Sequence, residues 1–381
     1  MARPLEGLRV LDFSRVLSGP YGTMTLADLG ADVIKVEHPA EGDDTRKFGP
    51  PFVDNQSTYF LSINRGKRSV ALDLKNPEDL LSALKLVDKA DVVVENFRPG
   101  VMDRLGLSPE VLRARNPRLV YCSISGFGRC ANKPGYDLMI QGLSGIPSLT
   151  GPPEGEPYKC GASIADLVAG MNAVQGILAA LLRRERTGEG AFVDVSMLDG
   201  QLSLLTYHAS AWLNGDSEPQ RLGNAHPSIH PFRTFQCADG YLNLAIGNDS
   251  LWRRFLDLLG DLGVPAYAAL LSERFSTNPG RVAAREELNG LLEPVFLSRR
   301  TDDWLELLRA ARLPSGPMAT IAEALQSADL VAHEHPATGK AIRTITLPYR
   351  IDDLPRAAER RAPLLGEHQD EVFADWLGDA E

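Results

Sequence analysis

The stretch LRVLDFSRVLSGPYGTMTLADLGADVIKVE, residues 8–37, decides the fold class. Residues 8–14 are a short apolar run typical of a β-strand, residues 19–30 place apolar side chains at helical spacing between glycines, and residues 31–37 return to a strand pattern. Asn76, which precedes a proline, predicts the start of a later helix. Strand and helix patterns go on alternating in segments 68–74, 76–90, 91–97, 108–116 and 118–128. This alternation predicts an α/β fold with a Rossmann-like, largely parallel sheet.

The second half of the chain predicts an additional, smaller domain. Residues 164–186 have the pattern of one long apolar helix and residues 198–214 that of another. Residues 215–231 are rich in turn-forming and polar types, which is typical of a linker, and a hairpin is expected around Asp239 beyond it. We therefore predict a large domain of residues 1–224 and 326–381 and a small α+β domain of residues 225–325.

Composition limits the class of protein. The chain has 381 residues, 44% of them hydrophobic, and a formal net charge of −10, which argues against a nucleic-acid partner because phosphate contacts need a basic face. The start MARPLEGLRVLDFS is unlike a secretory signal, and no uninterrupted apolar run is long enough to span a bilayer. We expect a cytoplasmic protein with no membrane partner. The cysteines suit a reducing compartment because they are scattered and form no C-x-x-C pair, at Cys122, Cys130, Cys160 and Cys237.

The N-terminal unit imitates a dinucleotide-binding motif. A strand, a glycine-bearing turn, a helix and a second strand ending in Glu37 follow in the right order, but Gly19, Gly22 and Gly30 do not form G-x-G-x-x-G, and Pro20 lies within the turn. The match is weak, and close packing of helix and strand is the favoured interpretation of these glycines. An NAD-dependent oxidoreductase is therefore retained as an alternative function.

Several segments taken together resemble one family over nearly the whole chain. They are residues 5–46, NRGKRSVALDLKNPE (64–78), DVVVENFRPGVMDRLGL (91–107), YDLMIQGLSG (136–145), ASIADLVAG (162–170), RTGEGAFVDVSMLDG (186–200) and RAPLLGEHQDEV (361–372). They resemble class III CoA-transferases, the group that includes formyl-CoA transferase and the succinyl-CoA-dependent dicarboxylate transferases and that is related to alpha-methylacyl-CoA racemase.

The resemblance implies that Asp166 is the catalytic nucleophile. A carboxylate is ionised near pH 7 and needs no base to attack an acyl-CoA thioester, which would give a mixed anhydride on the enzyme. Coenzyme A thioester is then a substrate, with no permanently bound cofactor, and a small carboxylic acid is the acceptor. Two other interpretations stay open: Asp166 as an ordinary acid in the first turn of a helix, and the whole chain as a non-catalytic acyl-CoA binder.

The resemblance also implies where CoA and the dimer partner bind. Class III CoA-transferases are interlocked, ring-like homodimers, so we expect a homodimer here. Cationic and apolar side chains suit the phosphates and adenine of CoA. The implied CoA-binding residues are Arg15, Val16, Leu72, Lys75, Asn96, Phe97, Arg98 and Arg104.

The residues expected around the acyl group favour transfer over racemisation. Tyr136 stands where the racemases carry a histidine, and a phenol with a pKa near 10 is a poor base for moving an α-proton. Formyl-CoA transferase has histidine and glutamine at the positions of Arg15 and Leu17, and a glycine run where this chain has AIGND (245–249), so a different acyl group is expected. The predicted acyl-site residues are Leu17, Tyr136, Asp137, His230 and Gly247.

The substrate acids are only partly indicated. The Tyr136 motif resembles the dicarboxylate branch and favours succinyl-CoA as donor. His226, His230 and Arg233 could supply a cation for a second carboxylate of the acceptor, or could be ordinary linker residues. His333 and His335 lack an identifiable third ligand, so we assign no metal site.

Overall fold

The computed structural model describes residues 2–131 and 133–378. They divide into two compact units, the larger made of the residues up to Pro147, Lys159–Ser217 and the residues from Asp329 onward, and the smaller made of Ser148–Tyr158 and Glu218–Ala328. The sequence placed 148–158 with the large domain. In the structure this segment is held within the smaller unit, because Arg221 donates to the carbonyl oxygens of Pro152 and Gly155 at 3.0 and 2.9 Å.

The strands are β1 (Arg9–Asp12), β2 (Asp32–Glu37), β3 (Phe52–Val53), β4 (Gln56–Ser57), β5 (Lys67–Ala71), β6 (Val92–Glu95), β7 (Val120–Ser125), β8 (Phe192–Ser196), β9 (Phe232–Gln236), β10 (Tyr241–Ala245), β11 (Ser315–Pro317), β12 (Leu330–His335) and β13 (Lys340–Ile345). The helices are α1 (Ser18–Asp28), α2 (Thr58–Ile63), α3 (Pro77–Val87), α4 (Val101–Arg104), α5 (Pro109–Arg115), α6 (Asp137–Leu143), α7 (Ile164–Thr187), α8 (Met197–Ser203), α9 (Thr206–Gly215), α10 (Asp249–Asp261), α11 (Tyr267–Leu270), α12 (Asn278–Ala283), α13 (Arg285–Leu297), α14 (Thr301–Ala310), α15 (Ile321–Ala324) and α16 (Gln369–Leu377).

The larger unit is built on a parallel sheet. Its strand order is β5-β2-β1-β6-β7-β8, and every neighbouring pair is parallel. Successive residues face opposite sides of a strand, so Val10 joins the apolar cluster that contains α1 and α7, while Leu11 joins the cluster that contains α3, α5 and α16. Both faces are covered, which explains the continuous apolar runs in the sequence and confirms the predicted α/β class.

Helix α7 is the central helix of this unit. It ends at Thr187, followed by Gly188 with φ of +75°, close to the predicted turn. By length and composition α7 is long and apolar enough to cross a membrane, a test that buried core helices also pass. Ala169, Ala173 and Ile177 on α7 pack into the apolar cluster against the sheet.

The predicted single helix at 198–214 was wrong. The structure has α8 and α9 instead, separated at Leu204 and Leu205, and Thr206 has φ of +34°. A left-handed φ interrupts the regular hydrogen-bonded helix, which apolar spacing alone cannot reveal.

The smaller unit contains an antiparallel sheet covered by helices. The strand order is β11-β10-β9, and the predicted hairpin is formed by β9 and β10, where Cys237 N donates to Gly240 O at 2.8 Å. Aromatic side chains fill the core, with Phe235 stacked on Phe296 at a centroid distance of 4.2 Å and Trp304 beside them. This unit therefore has a core of its own.

Candidate active site

Asp166 lies in the first turn of α7 and is half-buried. The Ser18 hydroxyl, at the start of α1, donates to its carboxylate. Burial, and secondly the negative charge of Asp137, raise the pKa of Asp166 to about 6. Near pH 7 the group is therefore mostly ionised and more basic than an ordinary aspartate.

A close approach between α1 and α7 brings Ser18 to Asp166. A Cβ on Gly170 would lie 2.6 Å from the Ser18 carbonyl oxygen, and one on Gly22 would lie 3.0 Å from the Gly170 carbonyl oxygen. Neither position has room for a side chain, so glycine allows the two helix backbones to touch. Of the glycines in the N-terminal motif, Gly22 thus serves packing of helix on helix.

A cavity of about 480 Å³ lies in the same unit, at the carboxyl ends of β1, β2 and β6. Ligands of parallel α/β sheets commonly bind at these ends. Five of the predicted CoA-binding residues line it together: Arg15, Leu72, Lys75, Phe97 and Arg104. Its wall therefore combines apolar surface with cations, as CoA requires.

The buried acids of the cavity wall are neutralised by neighbouring cations. Arg46 donates to both carboxylate oxygens of Glu37 at 2.7 Å, and Lys35 lies 2.8 Å from Asp43. Burial would raise the pKa of Asp43, but the Lys35 ammonium outweighs it and lowers the value to about 2. The exposed side chains of Lys75 and Arg104 therefore face a wall whose buried negative charge is compensated.

Asn96 connects the cavity to Asp166. Its amide accepts from Arg15 N at 2.8 Å and donates to Arg15 O at 2.7 Å and to Ser18 Oγ at 3.2 Å. Between them, Val16 has φ of +67°, a strained value for a β-branched residue, and Leu17 is buried. Asn96 thus fixes the loop from the cavity wall to the hydroxyl that binds Asp166, rather than lining the cavity itself.

The remaining predicted residues of the larger unit have different surroundings. Arg98 is exposed and lies outside the cavity lining. Tyr136 precedes α6 and is 64% exposed, whereas Asp137 accepts from Ala165 N at 2.9 Å, next to Asp166. The structure therefore places Asp137 in contact with the residue that precedes Asp166, whereas Arg98 lies outside the predicted CoA site.

Sequence reasoning missed two hydroxyl groups near Asp166. Ser18 was not singled out, and neither was Tyr59 on α2. Burial, and then the carboxylates of Asp166 and Asp137, raise the pKa of Tyr59 to about 12, so the phenol is a neutral donor in their field. Both residues are far from Asp166 along the chain, and no local pattern could have indicated them.

Two predicted acyl-site residues belong to the smaller unit. His230 is 0% exposed, and neither ring nitrogen has a partner within the described residues. Burial, and then the cations Arg285, Arg233 and Arg281, lower the pKa of His230 to about 4, so the ring is neutral near pH 7. Gly247 is exposed in the loop after β10. A neutral ring is unsuited to the cationic role that the sequence suggested for His230.

No metal site is found in the part of the chain that the structure describes, where no group of three or more His, Cys, Asp or Glu is placed to hold an ion. His333 Nε2 donates to the Ala358 carbonyl oxygen at 3.0 Å, and His335 is buried. Cys160 is half-buried, and its backbone N–H donates to Gln141 Oε1 at 2.8 Å.

Comparison with known proteins identifies the family. The sequence pattern of CoA-transferase family III matches residues 5–369. The chain belongs to CoA-transferase family III. This CoA-transferase is 41% identical to succinate–glutarate CoA-transferase of Agrobacterium fabrum, over 98% of this chain and 95% of that protein. It is 45% identical to acetyl-CoA:oxalate CoA-transferase of Acetobacter aceti, over 84% of this chain and 82% of that protein.

Solved structures agree with this assignment. A CaiB/BaiF family protein from Brucella suis is 40% identical and superposes with a TM-score of 0.87, covering 99% of this chain and 100% of that one. The family III CoA-transferase is therefore an enzyme that uses CoA thioesters. This assignment replaces the alternatives of an NAD-dependent oxidoreductase and of a non-catalytic acyl-CoA binder.

Proposed function

We propose that this CoA-transferase moves CoA between carboxylic acids through covalent intermediates on Asp166. An Asp166 oxygen attacks the thioester carbonyl carbon and the C–S bond breaks. CoA departs as the thiolate, and the acyl group remains on Asp166 as a mixed anhydride. The thiolate then attacks the Asp166 carbonyl, which releases the first acid and forms an aspartyl-CoA thioester. The acceptor carboxylate then attacks the aspartyl-CoA thioester, which releases CoA thiolate and forms a second mixed anhydride. The thiolate attacks the carbonyl carbon of the acceptor, so that the acceptor leaves as a new acyl-CoA and the Asp166 carboxylate is restored.

One observation carries the proposal: Asp166 is a half-buried carboxylate hydrogen-bonded by a hydroxyl, beside a second carboxylate. A structural acid is usually paired with a cation or with a helix N-terminal N–H, which lowers its pKa. Here burial and Asp137 instead raise the pKa of Asp166, which favours a nucleophile. Loop residues 15–18 and Asn96 link this carboxylate to the cavity assigned to CoA.

For the substrates we propose succinyl-CoA as donor and a short dicarboxylic acid as acceptor. Support comes from relatives named for succinate and glutarate, at 41% and 38% identity in Agrobacterium fabrum and mouse. The relative named for acetyl-CoA and oxalate defines the main competing pair. A screen of donors and acceptors by mass spectrometry of the acyl-CoA products decides between them.

We further propose a homodimer, interlocked as the family resemblance implies. Support comes from apolar side chains that the larger unit leaves exposed on short helices. Trp212 and Leu213 on α9 are 56% and 75% exposed, and Leu138 on α6 and Leu202 on α8 are also exposed. Apolar side chains of this size on helices of one unit are typical of surface that a partner covers.

The experiment that tests the nucleophile compares Asp166→Ala with Asp199→Ala. Asp199 is also an acid in the first turn of a helix, but it is exposed on α8. Asp166→Ala should lower kcat for CoA transfer by at least about three orders of magnitude, whereas Asp199→Ala should keep the parent rate. Incubation of the parent enzyme with acyl-CoA and hydroxylamine should yield a hydroxamate at Asp166, located by mass spectrometry of peptides.

Transfer by Asp166→Ala at the parent rate would rule out this mechanism. A hydroxamate on another residue, with Asp166 unmodified, would move the nucleophile elsewhere.

A further inference from the structure

Side chains from α6 and α8 hold the segment that leads into Asp166. Asp137 Oδ1 accepts from Ala165 N at 2.9 Å, and Gln141 Oε1 accepts from Cys160 N at 2.8 Å. Gln201, fully buried on α8, donates to the carbonyl oxygen of Ile164 at 3.2 Å. These contacts determine where α7 begins and hence where the first-turn side chain Asp166 points.

Neutral groups hold the carboxylate of Asp137 beside Asp166. Its second oxygen accepts from Gln141 Nε2 at 2.8 Å, so both oxygens are held by neutral N–H donors. Gln141 is itself fully buried and cannot turn away to solvent. A carboxylate held by neutral groups in a partly buried site repels a neighbouring carboxylate more strongly than one paired with a cation does.

The groups that face Asp166 come from separate elements. Ser18 on α1 donates a hydrogen bond, which lowers the pKa of Asp166, while Asp137 on α6 raises it. Tyr59 on α2 is a neutral phenol in the field of both carboxylates. Among these groups Asp137 alone carries a charge that opposes the charge of Asp166.

We infer that Asp137 is a positioning residue for the nucleophile: it fixes the start of α7 through Ala165 N and places a second carboxylate beside that of Asp166. This inference rests on the proposed role of Asp166. A carboxylate is a weaker base than a thiolate, so a tetrahedral intermediate tends to expel the carboxylate and return to thioester. A more basic Asp166 reduces the difference in basicity between the carboxylate and the thiolate. More of the tetrahedral intermediates then lose CoA thiolate and proceed to the anhydride.

The test compares Asp137→Asn, Gln141→Ala and the control Asp199→Asn with the parent, using kcat/KM for CoA transfer as a function of pH. The same substrates titrate in every variant, so a difference between profiles belongs to the enzyme. Asp166 is protonated below its raised pKa of about 6, so the parent should lose activity as the pH falls through this value. Asp137→Asn should move that midpoint to lower pH by about one unit and lower the plateau about fivefold.

Gln141→Ala separates the two roles. It loosens the segment at Cys160 and leaves the Asp137 charge in place, so it should lower the plateau without moving the midpoint to lower pH. Asp199→Asn should match the parent in both respects. Thermal unfolding checks that each variant is folded, and Asp137→Ser, whose hydroxyl can still accept from a backbone N–H, replaces Asp137→Asn if that variant does not fold.

An unchanged midpoint in a folded Asp137→Asn or Asp137→Ser variant overturns the inference. The proposed function is judged separately, by the hydroxamate at Asp166 in the parent. A hydroxamate together with an unchanged midpoint rejects the role of Asp137 alone, whereas absence of any hydroxamate at Asp166 rejects the nucleophile itself.

Discussion

Lys67 on β5 is fully buried and connects the sheet to the first turn of α1. Its ammonium donates to Asp12 Oδ2 and Pro20 O, both at 3.0 Å, and to Asn64 Oδ1 at 2.9 Å. Pro20 lies in the first turn of α1, directly after Ser18 and Gly19. The buried pair of Lys67 and Asp12 therefore helps to fix the turn that presents Ser18 to the nucleophile.

Lys67→Met should destabilise the enzyme by about 3–5 kcal/mol at pH 7, because Asp12 would be left as a buried charge without the cation that donates to it. Burial raises the pKa of Asp12, but Lys67 and Lys35 outweigh it and keep the folded value below 3.8. In the parent, ionised Asp12 therefore stabilises the fold at pH values above the pKa that it has in the unfolded chain. This stabilisation is lost as the pH falls through the pKa of Asp12 in the folded protein. In the variant Asp12 protonates more readily, so the loss of unfolding free energy relative to the parent should be smaller at pH 4 than at pH 7.

Urea unfolding at both pH values measures this deficit. Lys89→Met, at an exposed position, is the control for loss of a lysine charge and should change the free energy of unfolding by less than about 0.5 kcal/mol. The double variant Asp12→Asn, Lys67→Met should recover part of the loss. A deficit that grows as the pH falls would contradict the role of Asp12.

At this scale the sequence predicted the residues with distinctive chemistry. Leu72, Lys75, Phe97 and Arg104 do meet in one cavity. Ser18 and Tyr59 escaped notice because serine and tyrosine are common and their proximity to Asp166 arises only when separate helices pack together. The assignment of Asp166 as nucleophile stays a prediction.

At the scale of elements, the contact between α1 and α7 determines the geometry around Asp166. The backbones touch at Gly22 and Gly170, and Ser18 and Asp166 lie one turn away from this contact on their respective helices. A shift of either helix therefore changes the hydrogen bond between Ser18 and Asp166.

Gly170→Ala should separate these helices. The new methyl group would lie 2.6 Å from the Ser18 carbonyl oxygen, which is backbone and cannot turn aside. We expect a loss of about 1–3 kcal/mol of stability from overpacking. We also expect at least about a tenfold lower kcat, since small displacements of reacting groups are costly.

Gly290→Ala is the matched control. Gly290 is an exposed glycine within α13, and a Cβ there has nothing within 4 Å. Alanine is the better helix former, so this variant should be as stable as the parent or up to about 1 kcal/mol more stable. Parent-like stability and kcat in Gly170→Ala would show that the helices can adjust without affecting Asp166.

Sequence patterns predicted helices well where the residues that start or end the helix are neighbours in sequence. Asn76 caps α3 by accepting from Glu78 N at 2.8 Å, as its position before Pro77 predicted. The break between α8 and α9 was missed because the apolar spacing continues across it while the backbone at Thr206 does not. Periodicity reports which face of a segment is apolar, not whether the hydrogen-bond ladder is continuous.

At the scale of the whole molecule, the sequence indicated the parallel sheet and the family but not the full division into units. Segment 148–158 joins the smaller unit through contacts with Arg221 and Gly223, which are distant in sequence. Hydrogen bonds between segments so distant in sequence produce no periodic pattern of residue types. The cytoplasmic location and the lack of a membrane partner stay predictions, as does the homodimer.

The dimer proposal places apolar surface of α9 against a second copy of the chain. Leu213→Asp introduces a charge at a side chain that is 75% exposed in the single chain, so it should hardly affect the stability of an isolated protomer. In a dimer the same charge would be buried without a partner, which is strongly unfavourable. We therefore expect the dissociation constant of the dimer to rise by at least about a hundredfold.

Sedimentation velocity across a dilution series measures this change, and Leu81→Asp is the control. Leu81 on α3 is likewise apolar and 51% exposed, but it lies outside the group of exposed side chains on α6, α8 and α9. If folding and assembly are inseparable, Leu213→Asp should also make the unfolding temperature depend on protein concentration more steeply than in the parent. A dimer of parent strength in Leu213→Asp would exclude α9 from the interface, because a buried, unpaired aspartate cannot be accommodated there at no cost in free energy.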